Sequence, residues 1–198
     1  TFDNGVEIQL DSNYPWDGDM KYTITNTEKK AFKFGIRIPS WTLNSYQVMV
    51  NGHVVDSELV DQILYVDLED DAEITVEFDM AAHTVRTNTL VKDNIGKVAI
   101  QRGPIVYCAE EEDNESSLWL YELDKKPAFN YAYEAELLDG VGTLTTSDVT
   151  KLVEGTASDA LYSFDEDKVA QKAQLKLIPY YAWANRNEGQ MTVWLHQA

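Results

Sequence analysis

The groups best able to do covalent chemistry are few: the histidines His53, His83 and His196, and a single cysteine, Cys108. A Cys–His dyad would generate a thiolate nucleophile, but such partners meet only in the fold, and sequence alone brings Cys108 to none of the three. The setting of the thiol, Ile105-Val106-Tyr107-Cys108-Ala109, is apolar, so a buried structural cysteine is expected. No Gly-x-Ser-x-Gly elbow marks a nucleophilic serine. Paired-cysteine and His-Glu-x-x-His spacings for a metal are absent, as is a glycine-rich phosphate loop. The acidic stretch Asp11–Asp19 places Pro15 and Trp16 where an EF-hand loop needs polar groups. A structural Ca2+ between loops stays open there, against the simpler reading of a solvated acidic turn. The 34 acidic residues guarantee that some carboxylate pair has glycosidase spacing by chance, so their abundance is no evidence of hydrolysis.

Aromatic residues are the suggestive excess, with 5 Trp and 11 Tyr. Flat rings stack on the C–H faces of sugars, much as they attract cations. Trp16, Trp119 or Trp183 exposed on a platform would make a carbohydrate-binding surface. Aromatic rings also fill the cores of β-sandwiches and the contacts between domains, and that reading is preferred. Trp183-Ala184-Asn185-Arg186 joins a flat ring, an amide and a guanidinium in one loop. Such a set can hold a sugar or dock one domain on another. Trp16, Trp183, Asn185 and Arg186 are therefore the candidate sugar-binding or domain-interface residues, with docking favoured.

The elements that would position these residues are strands. Phe32, Phe34, Ile36 and Ile38 alternate with polar neighbours over Ala31–Ile38, and Ile74, Val76, Phe78 and Met80 do so over Glu73–Met80. Met20–Thr25 and Gln62–Leu68 alternate more weakly. Asn51-Gly52 between two Val-rich runs predicts a tight hairpin. Residues 1–85 thus hold six or seven short strands. Farther on, Val98–Cys108 reads as a long strand bent at Gly103-Pro104. Leu118–Leu123, Tyr131–Leu138, Gln174–Ile178 and Met191–Leu195 follow, and Asp165–Lys176 reads as strand plus loop. In the last strand Trp194 is out of phase with Met191 and Val193, which points it outward or toward another domain. The expected fold is all-β: two tandem antiparallel β-sandwich domains of jelly-roll type, 1–90 and 91–198, joined through the polar stretch Thr87–Lys97. Glu110–Ser117 is the one charge run, expected as an exposed loop.

The net charge of −18 repels phosphate backbones and anionic lipids, so neither nucleic acid nor a membrane is an expected partner. Residues 1–98 and 99–198 each carry 8 bases and 17 acids, so the charge is a solvated surface and not a tail. No apolar run approaches the ~18 residues of a membrane-spanning helix. The chain starts at Thr1 without a signal-like segment, which suggests a mature product or a piece of a longer protein.

Three segments together resemble a known family. They are Tyr14-Pro15-Trp16-Asp17-Gly18 with Phe34–Trp41 and Val50-Asn51-Gly52, then Gly96–Cys108 around Arg102-Gly103-Pro104, then Ile178–Arg186 with Met191–Leu195. In this order they are similar to the C-terminal part of bacterial β-L-arabinofuranosidase-like enzymes, glycoside hydrolase family 127 and its relatives, over about Asn13 to Leu195. The resemblance implies two β-sandwiches following an (α/α)6-barrel catalytic domain that removes L-arabinofuranose from plant glycans or glycoproteins. It implies a cysteine nucleophile, a zinc site of several Cys plus a Glu, and a Glu acid/base, all in that upstream barrel. No catalytic residue and no cofactor carries over to this chain, because one cysteine cannot both attack and build a thiolate-rich shell. The expected role is a non-catalytic accessory region that braces or completes the barrel and supports a homodimer. The alternative is a stand-alone carbohydrate-binding module for plant glycans. A degrader of plant glycans works in the periplasm or outside the cell, although a single cysteine is equally compatible with the cytoplasm.

Overall fold

Alternation governs the first part of the chain. The computed structural model describes residues 2–115, 117–153, 162 and 169–198, and these divide into two units, Thr1–Ala81 and Ala82–Ala198. Unit 1 contains β1 (Val6–Ser12), β2 (Asp19–Asn26), β3 (Phe32–Arg37), β4 (Tyr46–Val50), β5 (His53–Val54), β6 (Ile63–Leu68) and β7 (Ala72–Phe78). They form an antiparallel sheet in the order β1-β2-β7-β4-β5 and a second pair, β3-β6. In β7 the inward residues Ala72, Ile74, Val76 and Phe78 are buried, while Glu73 and Glu77 are exposed. Ile36, Leu64, Val66 and Leu68 from the β3-β6 pair join them in a single apolar cluster. This is the face-to-face core of a sandwich. Each fully buried aliphatic side chain contributes about 1.5–3 kcal/mol. Arg37 lies on the exposed outer face of β3.

Two turns fix unit 1 locally. Asn51 and Gly52 both have positive φ, 51° and 78°, and close the β4–β5 hairpin. Asn51 also accepts a hydrogen bond from the Glu73 N–H through its side chain (2.9 Å) and donates its own N–H to the Glu73 carbonyl (2.8 Å). Gly18 sits against the end of β7, where an added Cβ would stand 2.1 Å from the Phe78 carbonyl oxygen. The glycine of the Tyr14–Gly18 motif is thus required by close approach of two backbones.

Unit 2 contains β8 (Ala82–Arg86), β9 (Lys97–Arg102), β10 (Ile105–Glu110), β11 (Tyr121–Leu123), β12 (Asn130–Glu134), β13 (Val141–Thr146), β14 (Val149–Leu152), β15 (Ala170–Lys172), β16 (Leu175–Pro179), β17 (Met191–Thr192) and β18 (Leu195–Gln197). The main path runs β12-β13-β16-β10-β9-β18-β11-β14-β15, with β17 branching onto β10 and β8 onto β9. Such branches let one hydrogen-bonded network supply both layers of a sandwich. The pairings are antiparallel except β11–β18, which is parallel. The protein is thus all-β, with two tandem sandwich units.

Three expectations differ in detail. β8 pairs with β9 residue for residue from Ala82↔Arg102 to Arg86↔Val98. The stretch Thr87–Lys97 is therefore the connection of a long hairpin within unit 2, and a boundary after residue 90 falls inside it. Gly103-Pro104 does not bend a strand; it reverses the chain between β9 and β10, with Gly103 at φ 56°. Met191–Leu195 is not one strand, because β17 pairs with β10 and β18 with β9. The Thr192 hydroxyl donates to the Trp194 carbonyl (3.0 Å) across the break, and Trp194 is half-buried. Of Asp165–Lys176, residues 165–168 lie outside the described residues, and the rest holds β15 and the start of β16.

Candidate functional site

The acidic run after β10 and the loop after β16 meet in unit 2. A 3-10 turn, Tyr180–Ala182, ends β16 and delivers Trp183–Gln190 against Glu110–Asp113. Each of the four carboxylates takes a donor from that loop. Glu110 accepts the Ala184 N–H (2.9 Å) and the Arg186 Nη2 (2.5 Å), and Glu111 accepts the Gln190 N–H (2.8 Å). Glu112 accepts the Asn187 amide (3.0 and 3.2 Å), and Asp113 accepts Arg186 Nη2 (2.5 Å). Lys176 on β16 extends the network to Asp113 (3.7 Å) and Glu134 (2.9 Å). The side chains of Glu110, Asp113 and Arg186 are 10%, 11% and 15% exposed. Within the run Glu110–Ser117, Glu110–Asp113 are therefore tied to the facing loop and are not the freely exposed loop that composition suggests, whereas Glu112 and Glu115 do stay exposed.

The electrostatics follow from this packing. The Asp113 hydrogen bond, followed by that of Glu110, holds the Arg186 guanidinium above its ordinary pKa against the opposing effect of burial. The Lys176 and Thr143 hydrogen bonds hold the Glu134 carboxyl below its ordinary value. Burial, with the Glu110 carboxylate beside it, pushes the Cys108 thiol up to about 12. Cys108 is wholly buried, whereas His53, His83 and His196 are all exposed. No thiolate forms at neutral pH, and the dyad is excluded.

The candidate residues fall in different places. Trp183, Asn185 and Arg186 share the loop after β16. Trp183 is 41% exposed and stacks on Tyr180, centroids 6.3 Å apart at 14°. Asn185 spends its amide on the loop itself, donating to the Ala182 carbonyl (3.0 Å) and the Trp183 carbonyl (3.3 Å). Arg186 is committed to the two carboxylates. Trp16 belongs to unit 1, half-buried in a turn closed by its N–H to the Asn13 carbonyl (2.9 Å). Nearby in that unit Tyr14 stacks on Trp41, which meets Phe78 edge-on. Trp119, 60% exposed, stands on a 3-10 turn, Leu118–Leu120, in unit 2.

A shallow cleft of about 250 Å3 lies along the loop, walled by Glu111, Glu112, Trp183, Asn187 and Gln190. Its carboxylates are already hydrogen-bonded to backbone or amide donors, which suits a binding or packing wall and not acid–base chemistry. Among the described residues, no three His, Cys, Asp or Glu side chains are grouped to hold a metal. With a lone, wholly buried cysteine, this chain's residues do not fit a thiolate-rich zinc shell.

The described residues thus form two β-sandwich units that carry aromatic side chains in their loops. Comparison with known proteins makes this specific. Residues 1–81 match the β-L-arabinofuranosidase GH127 middle domain, and residues 82–196 match the glycoside hydrolase family 127 C-terminal domain. The chain belongs to glycoside hydrolase family 127. It is 38% identical over 200 residues to a non-reducing end β-L-arabinofuranosidase of Bifidobacterium longum, covering 97% of this chain and 30% of the relative. A GH127 β-L-arabinofuranosidase from Geobacillus stearothermophilus T6 superposes with a TM-score of 0.90 at 35% identity, over 98% of this chain and 31% of that one. A second solved GH127 β-arabinofuranosidase gives 0.81 at 34%, over 98% of this chain and 32% of that one. The chain thus spans about a third of the length of these relatives.

Proposed function

We propose that this chain is the non-catalytic accessory region of a β-L-arabinofuranosidase, two sandwiches that brace and complete an (α/α)6 catalytic barrel lying upstream. The observation that carries this reading is the unbroken match of residues 1–196 to the middle and C-terminal domains of the family, over only 30% of the curated relative. The chemistry agrees: the lone thiol is buried with its ionisation suppressed, and the carboxylates of the acidic wall are engaged. In this reading zinc and the catalytic groups belong to the barrel, and arabinose-bearing plant glycans are the parent's substrates. The test is hydrolysis of an aryl β-L-arabinofuranoside. The isolated chain is expected to give no turnover, and adding it to the separately expressed upstream region is expected to raise that region's activity. Turnover by the chain alone that disappears in Cys108→Ala would overturn the proposal.

A further inference from the structure

A face of the large sheet in unit 2 that is dry in its interior opens at the edge strand β12. Tyr131 lies opposite Leu144 and Tyr133 opposite Gly142, while Leu144 lies opposite Leu177. Directly paired residues share a face, so both tyrosines extend the surface that farther in is made of buried Leu144 and Leu177. At this rim they emerge: Tyr131 is 36% and Tyr133 55% exposed, and Tyr181 from the turn after β16 is 62% exposed. β13 pairs with β12 on one side and β16 on the other, so the turn that ends β16 sets Tyr181 at the same end of this part of the sheet. Burial raises the Tyr181 phenol above its ordinary value, and the Tyr131 and Tyr133 phenols raise it further.

The rings have seats made for them. A Cβ at Gly142 would stand 2.4 Å from the Tyr131 ring, and one at Gly140 would stand 2.2 Å from the Tyr133 hydroxyl. Glycine at both positions lets these rings lie close against the chain around β13. The Arg102 guanidinium stands 3.6 Å from the centroid of the Tyr131 ring and so backs it. In the same cluster Tyr107 is wholly buried, and its hydroxyl has no hydrogen-bond partner among the described residues. Burial does most to raise its pKa, the Arg102 cation opposes that, and Tyr131 and Tyr181 add to the rise. A buried hydroxyl of this kind calls for a partner.

Exposed rings with polar tips, fixed in place and backed by a guanidinium, match a ligand that offers C–H faces and hydroxyl edges together. The net charge of −18 disfavours a polyanion. We infer that Tyr131, Tyr133 and Tyr181, with Arg102 behind them, form a binding surface for a neutral, arabinose-bearing glycan. The arabinose identity rests on the function proposed above; the surface itself does not.

The test uses the 198-residue chain, with soluble arabinan as the probe and dextran as a second neutral glycan. Binding is read by affinity electrophoresis, and ring protection by hydroxyl-radical footprinting. Arabinan is expected to retard the chain and to protect Tyr133 and Tyr181. Tyr181→Ala and Tyr133→Ala are each expected to weaken binding about tenfold, roughly the loss of one good stacking contact. Trp119→Ala is expected to bind as the unmodified chain does. Unchanged melting curves establish that the variants are folded. Absence of retardation and protection with both glycans overturns the proposal, as does tyrosine-independent binding. Equal, tyrosine-dependent binding of dextran supports the surface and overturns its arabinose assignment. Protection of Tyr181 in the whole parent protein without any glycan shows that the rest of the parent covers this surface, and overturns the proposal. None of these outcomes bears on hydrolysis by the parent, so the two readings fail separately.

Discussion

The two units solve the same architectural problem by different means. Unit 1 closes on an apolar cluster, and its buried polar residues are Asn26 and Thr42 among those described. Asn26 earns its place by tying the end of β2 to the loops before β7 and before β3, donating to the Glu69 carbonyl (2.6 Å) and the Lys30 carbonyl (2.9 Å). Unit 2 buries Glu110, Ser117, Thr143, Thr146 and Lys151. Its long loops are held by carboxylates facing amides, a guanidinium and an ammonium. Short turns need only the right backbone angles, as at Asn51-Gly52. A loop as long as Trp183–Gln190 has to be anchored, and buried charge does that at the risk of a large loss if one partner goes.

That contrast breaks most visibly at Arg186. Arg186→Ala leaves Glu110 buried without its cation and Asp113 with only Lys176 at 3.7 Å, and is expected to destabilise unit 2 by about 3–5 kcal/mol in urea unfolding. A double-mutant cycle with Glu110→Gln is expected to recover part of the loss; full additivity would refute the coupling. In unit 1 the comparable blow is Ile74→Ala, expected to cost about 2–5 kcal/mol by opening a cavity, with the same loss at low and high salt. Gly18→Ala is expected to cost about 1–3 kcal/mol as β7 shifts away from the new methyl group; hydrogen exchange at the Phe78 amide, which donates to the Gly18 carbonyl, reads that shift.

A weaker effect sharpens the comparison through pH. Glu134 has its folded pKa depressed below the ordinary 4.5, so its contribution is present above that value and is lost as pH falls through the depressed one. The urea midpoint of unit 2 is expected to fall in that acid window, and Glu134→Gln to flatten the fall. Smallest of all is Lys33→Ala, which removes an exposed pair with Asp67 at 3.7 Å and is expected to change stability by no more than about 0.5 kcal/mol.

The legibility of the sequence follows the same division. Unit 1 is read well because one face of each strand meets solvent: the alternation of Ile74, Val76 and Phe78 with Glu73 and Glu77 survives intact in β7. β13 escapes such a reading. Val141–Leu144 is buried throughout, so Val-Gly-Thr-Leu shows no period of two. Arg186 and Glu110 are 76 residues apart in the chain, so no local pattern reveals that a charge run and a Trp-Ala-Asn-Arg loop complete each other. The tyrosine surface was hidden for a similar reason. Tyr131 and Tyr133 are two apart on one strand, which is legible, but only the fold brings Tyr181 and Arg102 beside them.

The position of β18 has a consequence for synthesis. Leu195–Gln197 lies between β9 and β11, and on the main path it is the link between the two blocks of the sheet. Until those residues leave the ribosome, β11, β14 and β15 form an island with an open edge. Unit 1 completes its sheets with residues 72–78 and can close while the remainder is still being translated. Among the described strands of unit 2, the one that joins the two blocks comes last, so a nascent chain stalled before residue 195 presents unpaired strand edges, a template for mispairing.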